Sequence, residues 1–126
     1  PAGEASAVLV MESGTSAAAR GVKPLCRVLG CGIATSVEAA AAAALGQAGR
    51  PADAPRAVWV NAAARKSAET LFAGADIVAP EELCGDTQGA TTALHLAFTL
   101  LSETQPEAMV LTANGHTCVA LLVARI

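Results

Sequence analysis

The chain reads as an α/β domain with a mostly parallel sheet and one antiparallel strand at its end, and three observations lead there. Short runs rich in Val and Leu alternate with helix-forming stretches. Two such runs, 108–112 and 117–126, then follow one another with only the turn 113–116 between them. Ahead of them lies Leu83–Glu103, LCGDTQGATTALHLAFTLLSE, a stretch that is oily over most of its girth and so is expected to be a buried central helix.

Taken in order, Glu4–Glu12, EASAVLVME, reads as a buried strand. The small, polar 14–21 is a connection with room for one helical turn. Pro24–Ile33 is a second strand, in which Gly30 and Gly32 permit close packing or a bend. Ser36 is placed to cap the helix VEAAAAAALGQAG, and Gly49 to end it. The alanine run has high intrinsic helix propensity, and its small side chains suit tight packing on a sheet. Prolines make 49–55 a loop. Ala57–Asn61 is a strand, Ser67–Phe72 a short helix ending at Gly74, and Asp76–Ala79 a brief strand.

In the central stretch Ala90, Ala93, Leu94, Ala97, Phe98 and Leu101 recur at the spacing of one helical face. Asp86 stands where an N-cap belongs, its carboxylate able to accept the N–H of Gln88 or Gly89. Gly89 and Ala90 leave space for another backbone to approach the first turn. His95 shares the opposite side with Thr91, Thr99 and Ser102 and reads as a polar-face or interface residue.

Of 126 residues, 53% are hydrophobic and 15% charged, against about a quarter charged in ordinary domains. Mean hydropathy is +0.48. No stretch approaches the roughly 18 apolar residues of a membrane span, so the composition implies that the chain has more surface to bury than its own folding covers. A partner or a missing half is expected, with the central helix covered by another chain in an assembly at least dimeric. A net charge of −3 and the scarcity of aromatics (Trp59, Phe72, Phe98) exclude a nucleic-acid surface. Cys26, Cys31, Cys84 and Cys118 have no paired zinc spacing; they are expected to be small buried hydrophobes in a reducing cytoplasm, and no metal is expected. PAGEAS lacks the marks of a signal peptide, and a start at Pro1 reads as processed, cleaved or internal. LGCGIA has a Gly-x-Gly but not the third glycine of a dinucleotide fingerprint, and no cofactor is expected.

Glu81–Ala90, EELCGDTQGA, resembles the second histidine motif of β-ketoacyl synthases, Lys-Ser-x-x-Gly-His-x-x-Gly-Ala, which leads into a central helix. Both glycines and the alanine match; Glu81 stands for the lysine and Asp86 for the histidine. The likeness continues in GEASAVLVME and AAARGVKPLCRVLGCG, in VWVNAAARKSAE against the first histidine motif, and in TANGHTCVALLVARI against the last turn and strand. It is to the C-terminal half of a thiolase-fold ketosynthase and covers essentially the whole chain. The resemblance implies one domain over 1–126, a thiolase-like half with a five-stranded mixed sheet and helices on both faces. Residues 4–12 would be the last strand of the missing N-terminal half, and the nucleophilic cysteine would lie upstream of Pro1.

The first histidine of the motif pair falls on Ala63 and the second on Asp86. Alanine donates no hydrogen bond, and an ionised Asp86 would repel a developing oxyanion. By the resemblance, the turn Asn114, Gly115 and His116 would border the substrate pocket, with His116 either a residual acid/base or a surface turn residue. Cys84, read as lying just before a helix N-terminus, is either a packing residue or a thiol activated by the helix dipole. Two functions follow. One is a non-condensing ketosynthase-like subunit or half-domain of fatty-acid or polyketide synthesis, paired with a thiolase-fold partner chain or N-terminal half and meeting acyl carrier protein. The other is the C-terminal part of an active synthase whose cysteine lies upstream.

Overall fold

The computed structural model describes residues 2–102 and 105–126; Glu103, the last residue of the predicted central stretch, lies outside them. Five strands form one mixed sheet: β1 (Cys26–Ala34), β2 (Ala57–Val60), β3 (Asp76–Val78), β4 (Glu107–Asn114) and β5 (Thr117–Arg125). Their order is β1-β5-β4-β2-β3. The pairs β2/β3 and β2/β4 are parallel, while β5 runs antiparallel to both β1 and β4. β5 is therefore the one reversed strand, as expected, but it lies inside the sheet and not at its edge. The hairpin β4–β5 turns at Gly115 and His116, and Gly115 takes the positive φ of 58° that a two-residue hairpin demands.

Helices cover both faces. α2 (Val37–Ala48) and α3 (Ala62–Leu71) pack on one face, and α5 (Thr91–Leu101) on the other. Strand alternation sorts the core between them: Met109 and Leu111 point to α2 and α3, while Ala108 and Val110 point to the side of α5. α2 has the predicted caps. The Ser36 hydroxyl accepts the Ala39 N–H at 3.2 Å, and Gly49 closes the helix in the left-handed conformation. Its alanines lie almost on the backbone of β1. A Cβ on Gly30 would stand 2.0 Å from the Ala44 carbonyl oxygen, and one on Gly32 2.0 Å from that of Ala40. This contact is why β1 carries glycines where other strands carry Val or Leu.

Several elements differ from expectation. Residues 4–12 join no strand ladder, and Val8 and Val10 are 91% and 83% exposed. The segment has the alternation of a strand, but it pairs with neither edge of the sheet, β1 or β3. A six-residue α1 (Gly14–Ala19) follows, capped by Ser13. α3 begins five residues before the expected helix, because the Asn61 side chain accepts the Ala64 N–H at 3.2 Å and starts it there.

The central stretch is broken into α4 (Glu81–Cys84), a 3₁₀ turn (Gln88–Ala90) and α5. Within α5 the buried face is Thr91, His95, Leu96 and Thr99, whereas Leu101 of the expected apolar face is 78% exposed. Threonines can line a buried face because their methyls pack and their hydroxyls find short partners. Thr92 Oγ1 lies 2.7 Å from Thr112 Oγ1 on β4, Thr87 Oγ1 lies 3.0 Å from Thr91 Oγ1, and Thr99 donates to the His95 carbonyl at 2.8 Å. Nothing lies within 4 Å of a Cβ built on Gly89, so the close approach expected there is not found among the described residues. Of the cysteines only Cys118 is buried; Cys26 and Cys84 are half-buried and Cys31 is exposed. Among the described residues no helix is long and apolar enough to cross a membrane.

Candidate functional site

The residues singled out from sequence gather at the end of the sheet where β2 and β4 finish. Asn61, immediately after β2, ties this end together. Its amide donates to the Ala113 carbonyl at 2.7 Å, and its oxygen accepts the N–H groups of Ala113 (3.0 Å) and Ala64 (3.2 Å). One side chain thus joins the ends of two parallel strands and starts α3. Glu81 adds a second tie, its carboxylate accepting the Ala62 N–H at 2.8 Å. A negative charge at the first turn of a helix is favoured by the unpaired N–H groups and by the dipole. The other oxygen, Glu81 Oε1, is buried and has no hydrogen-bond partner among the described residues.

These bonds carry Ala63, the 81–86 segment and the 114–117 turn to one end of the molecule without joining their side chains. Ala63 is exposed in the first turn of α3. Asn114, Gly115 and His116 are exposed on the hairpin turn. Asp86 is exposed, and its carboxylate does accept the Gln88 N–H, at 2.8 Å. That bond caps the 3₁₀ turn and not the central helix, whose N-cap residue Ala90 makes no side-chain bond. Gln88 takes a φ of 48° to make the turn, a region a non-glycine residue seldom occupies.

Cys84 does not stand just before a helix N-terminus. It closes α4, at a helix C-terminus, and its thiol donates to the Pro80 carbonyl oxygen at 3.2 Å. Arg65 pairs with both Glu82 and Glu69, one positive charge against two negative, on the outer face of the site. The remaining chemistry is a set of carboxylates, Glu81, Glu82 and Asp86, with no imidazole at either family histidine position.

Sequence reasoning did not find the ties made by Asn61 and Glu81 or the burial of His95. An Asn directly before AAARKSAE is an N-cap signal and would have found the first. His95 is 0% exposed, and neither ring nitrogen has a hydrogen-bond partner among the described residues. Burial pushes its pKa down to about 4, so the ring is neutral at pH 7.

No protein-family model and no curated protein sequence matches the chain. Solved structures do. The β-ketoacyl synthase from Burkholderia phymatum STM815 superposes with a TM-score of 0.75 at 19% identity, over 91% of this chain and 41% of its own. The PfaC ketosynthase–chain length factor superposes with a TM-score of 0.68 at 19% identity, over 79% of this chain and 13% of its own. The chain thus spans less than half of either. It has the thiolase-like α/β fold of β-ketoacyl synthases, over part of their length.

Proposed function

We propose that the chain is a ketosynthase-like, non-condensing subunit or half-domain of cytoplasmic fatty-acid or polyketide synthesis, which works joined to a thiolase-fold partner. The partner is a separate chain or an N-terminal half. The observation that carries this reading is the uncovered part of the second sheet face. α5 packs over β2 and β4. Beside it, a groove of about 670 Å³ runs between Leu96 and Leu100, the start of β1 and the segment 8–12.

Val8, Val10, Leu25 and Ile126 stand exposed around this groove. Each such side chain left in water forgoes roughly 1.5–3 kcal/mol of burial. A contiguous patch of them marks an interaction surface. A second apolar helix laid beside α5 would fill the groove, and pairing 4–12 as the last strand of the partner's sheet would bury Val8 and Val10. The assembly is then at least dimeric.

The site supports the absence of condensation. Ala63 and Asp86 occupy the two family histidine positions, and neither supplies a hydrogen bond to a developing oxyanion. One solved relative in fold is a ketosynthase–chain length factor. A role of that kind, shaping an acyl tunnel and meeting acyl carrier protein without condensing, suits a chain with this surface and this site. In it the turn Asn114–His116 would border the acyl pocket.

Incubated with malonyl- and acyl-carrier protein, the chain is expected to release no carbon dioxide and to form no β-ketoacyl product. An acyl-enzyme detected by intact mass and lost in Cys84→Ala would overturn this. Light scattering at micromolar concentration is expected to give more than the 12.5 kDa of one chain, and a clean monomer would remove the partner.

The second reading, part of an active synthase, draws on the Burkholderia structure, of which this chain spans 41%. Its test is the coding sequence upstream of Pro1. A cysteine on a strand-to-helix turn there, and condensation by the joined polypeptide, would favour the enzyme.

A further inference from the structure

We propose that His95 makes the seating of α5 on the sheet acid-sensitive, so that protonation of this one side chain releases the helix while the rest of the domain stays folded. The ring lies in the middle of the helix, 0% exposed, with both nitrogens unpartnered among the described residues. A buried polar group in that condition already costs free energy as the neutral ring, and an imidazolium there costs more.

No charge among the described residues compensates it. β2 carries no titratable side chain, the 3₁₀ turn carries none, and α5 itself has no other. β4 carries Glu107 alone, at the opposite end from the Thr92–Thr112 bond and held by Arg50 at 2.6 Å. Cys26 borders the same apolar cluster, but burial pushes its thiol pKa up, so it stays neutral in acid. The depression of His95 accordingly has burial as its cause, with no charged neighbour contributing.

The helix is held lightly. α5 is fixed by the Thr92–Thr112 bond, by Leu96 in a small apolar cluster, and by Phe98 stacked on Trp59 with ring centroids 6.5 Å apart. It is also fixed at its C-terminal end by Arg125 of β5, which donates to the Ser102 carbonyl at 2.5 Å and, being a cation, offers an imidazolium no compensation. The larger core lies on the other face and does not involve α5. In the seated state His95 titrates at about 4, below its ordinary 6.5. Its proton therefore binds better when the helix is lifted. Seating is at full strength above pH 6.5 and is lost progressively as the pH falls toward 4. Across that window the lifted-to-seated ratio rises on the order of 100-fold.

Trp59 is the chain's only tryptophan and stands under α5, so it reports the motion. Between pH 7.5 and 4.5 its emission is expected to shift red and its quenching by acrylamide to increase. Amide protons of Met109 and Leu111 should stay protected. In His95→Leu and His95→Gln the Trp59 change should vanish. The same change persisting in both variants, or simultaneous loss of Met109 and Leu111 protection in the parent, would overturn the proposal. Should the variants not fold, an NMR titration of the parent decides it: loss of α5 amide protection along a His95 titration that lies below 6.5 supports the inference, and a His95 that titrates near 6.5, or below it with α5 still protected, refutes it.

Discussion

The two faces of the sheet are built on different principles. Under α2 and α3 the packing is closed: alanines and two glycines bring backbone against backbone, and Met109, Leu111 and Leu122 are fully buried. Under α5 one helix covers two strands, threonine hydroxyls and an unpartnered imidazole lie inside, and Leu101 and Val8 face water. A face of the first kind can hold a chain together by itself. A face of the second kind wastes apolar surface and buries polar groups, which is tolerable where something else completes it or where opening is part of its use. The contrast locates the fold's stability on one side and its interactions on the other.

The comparison breaks most directly at β1. Gly30→Val should destabilise the chain by about 3 kcal/mol or more, or prevent folding, because the new Cβ meets the Ala44 carbonyl oxygen at 2.0 Å and a helix backbone cannot step aside. Gly32→Val should behave alike against Ala40. Urea denaturation followed by circular dichroism checks both. A Gly30→Val chain as stable as the parent would mean that α2 is not seated this closely.

A matched pair sharpens the same contrast. Leu111→Ala removes a fully buried side chain from the closed face and should cost about 2–5 kcal/mol. Leu101→Ala makes the same cut in a residue that is 78% exposed, and in the chain alone should stay within about 0.5 kcal/mol. Once a partner is bound, Leu101→Ala should weaken the complex, measured by titration calorimetry. Equal costs in the free chain would show that the two faces are not distinct.

Much of the closed face was legible in the sequence, and for a physical reason: its signals are local. Ser36 and Gly49 bracket α2, Val- and Leu-rich runs mark β2, β4 and β5, and the two close glycines announce tight packing. The open face was misread because its signals are not local. Counting apolar residues along 90–101 selects Leu94, Phe98 and Leu101; of these Phe98 does stack on Trp59 of β2, but the buried positions are Thr91, His95, Leu96 and Thr99. Which side of a helix greasy nearly all round turns inward depends on the strands beneath it, here on Thr112 meeting Thr92. Likewise 4–12 has the pattern of a strand, and pattern alone cannot say whether an edge strand pairs with it. At the candidate site, the positions of Ala63 and Asp86 followed from the family likeness. The ties made by Asn61 and Glu81 depend on distances between β2, β4 and α4 that no spacing in the chain records.

Asp86 gives the smallest expected effect and tests how far the central helix depends on its lead-in. The carboxylate accepts one N–H, that of Gln88, in an exposed turn, while α5 starts five residues further on with no side-chain cap. A true cap of α5 would cost about 0.5–2 kcal/mol on change to alanine. A single exposed hydrogen bond to a 3₁₀ turn is worth the low end of that range, because water replaces it readily. Asp86→Ala should therefore lower stability by about 0.5 kcal/mol, and Asp86→Asn, which keeps an acceptor, by less. Gln88→Gly should offset the loss, since glycine adopts the positive φ that Gln88 holds at 48° without strain. Stability of the double variant Asp86→Ala, Gln88→Gly at or above the parent would place the role of this segment in shaping a turn. A loss near 2 kcal/mol that glycine does not recover would instead return Asp86 to the helix as its cap.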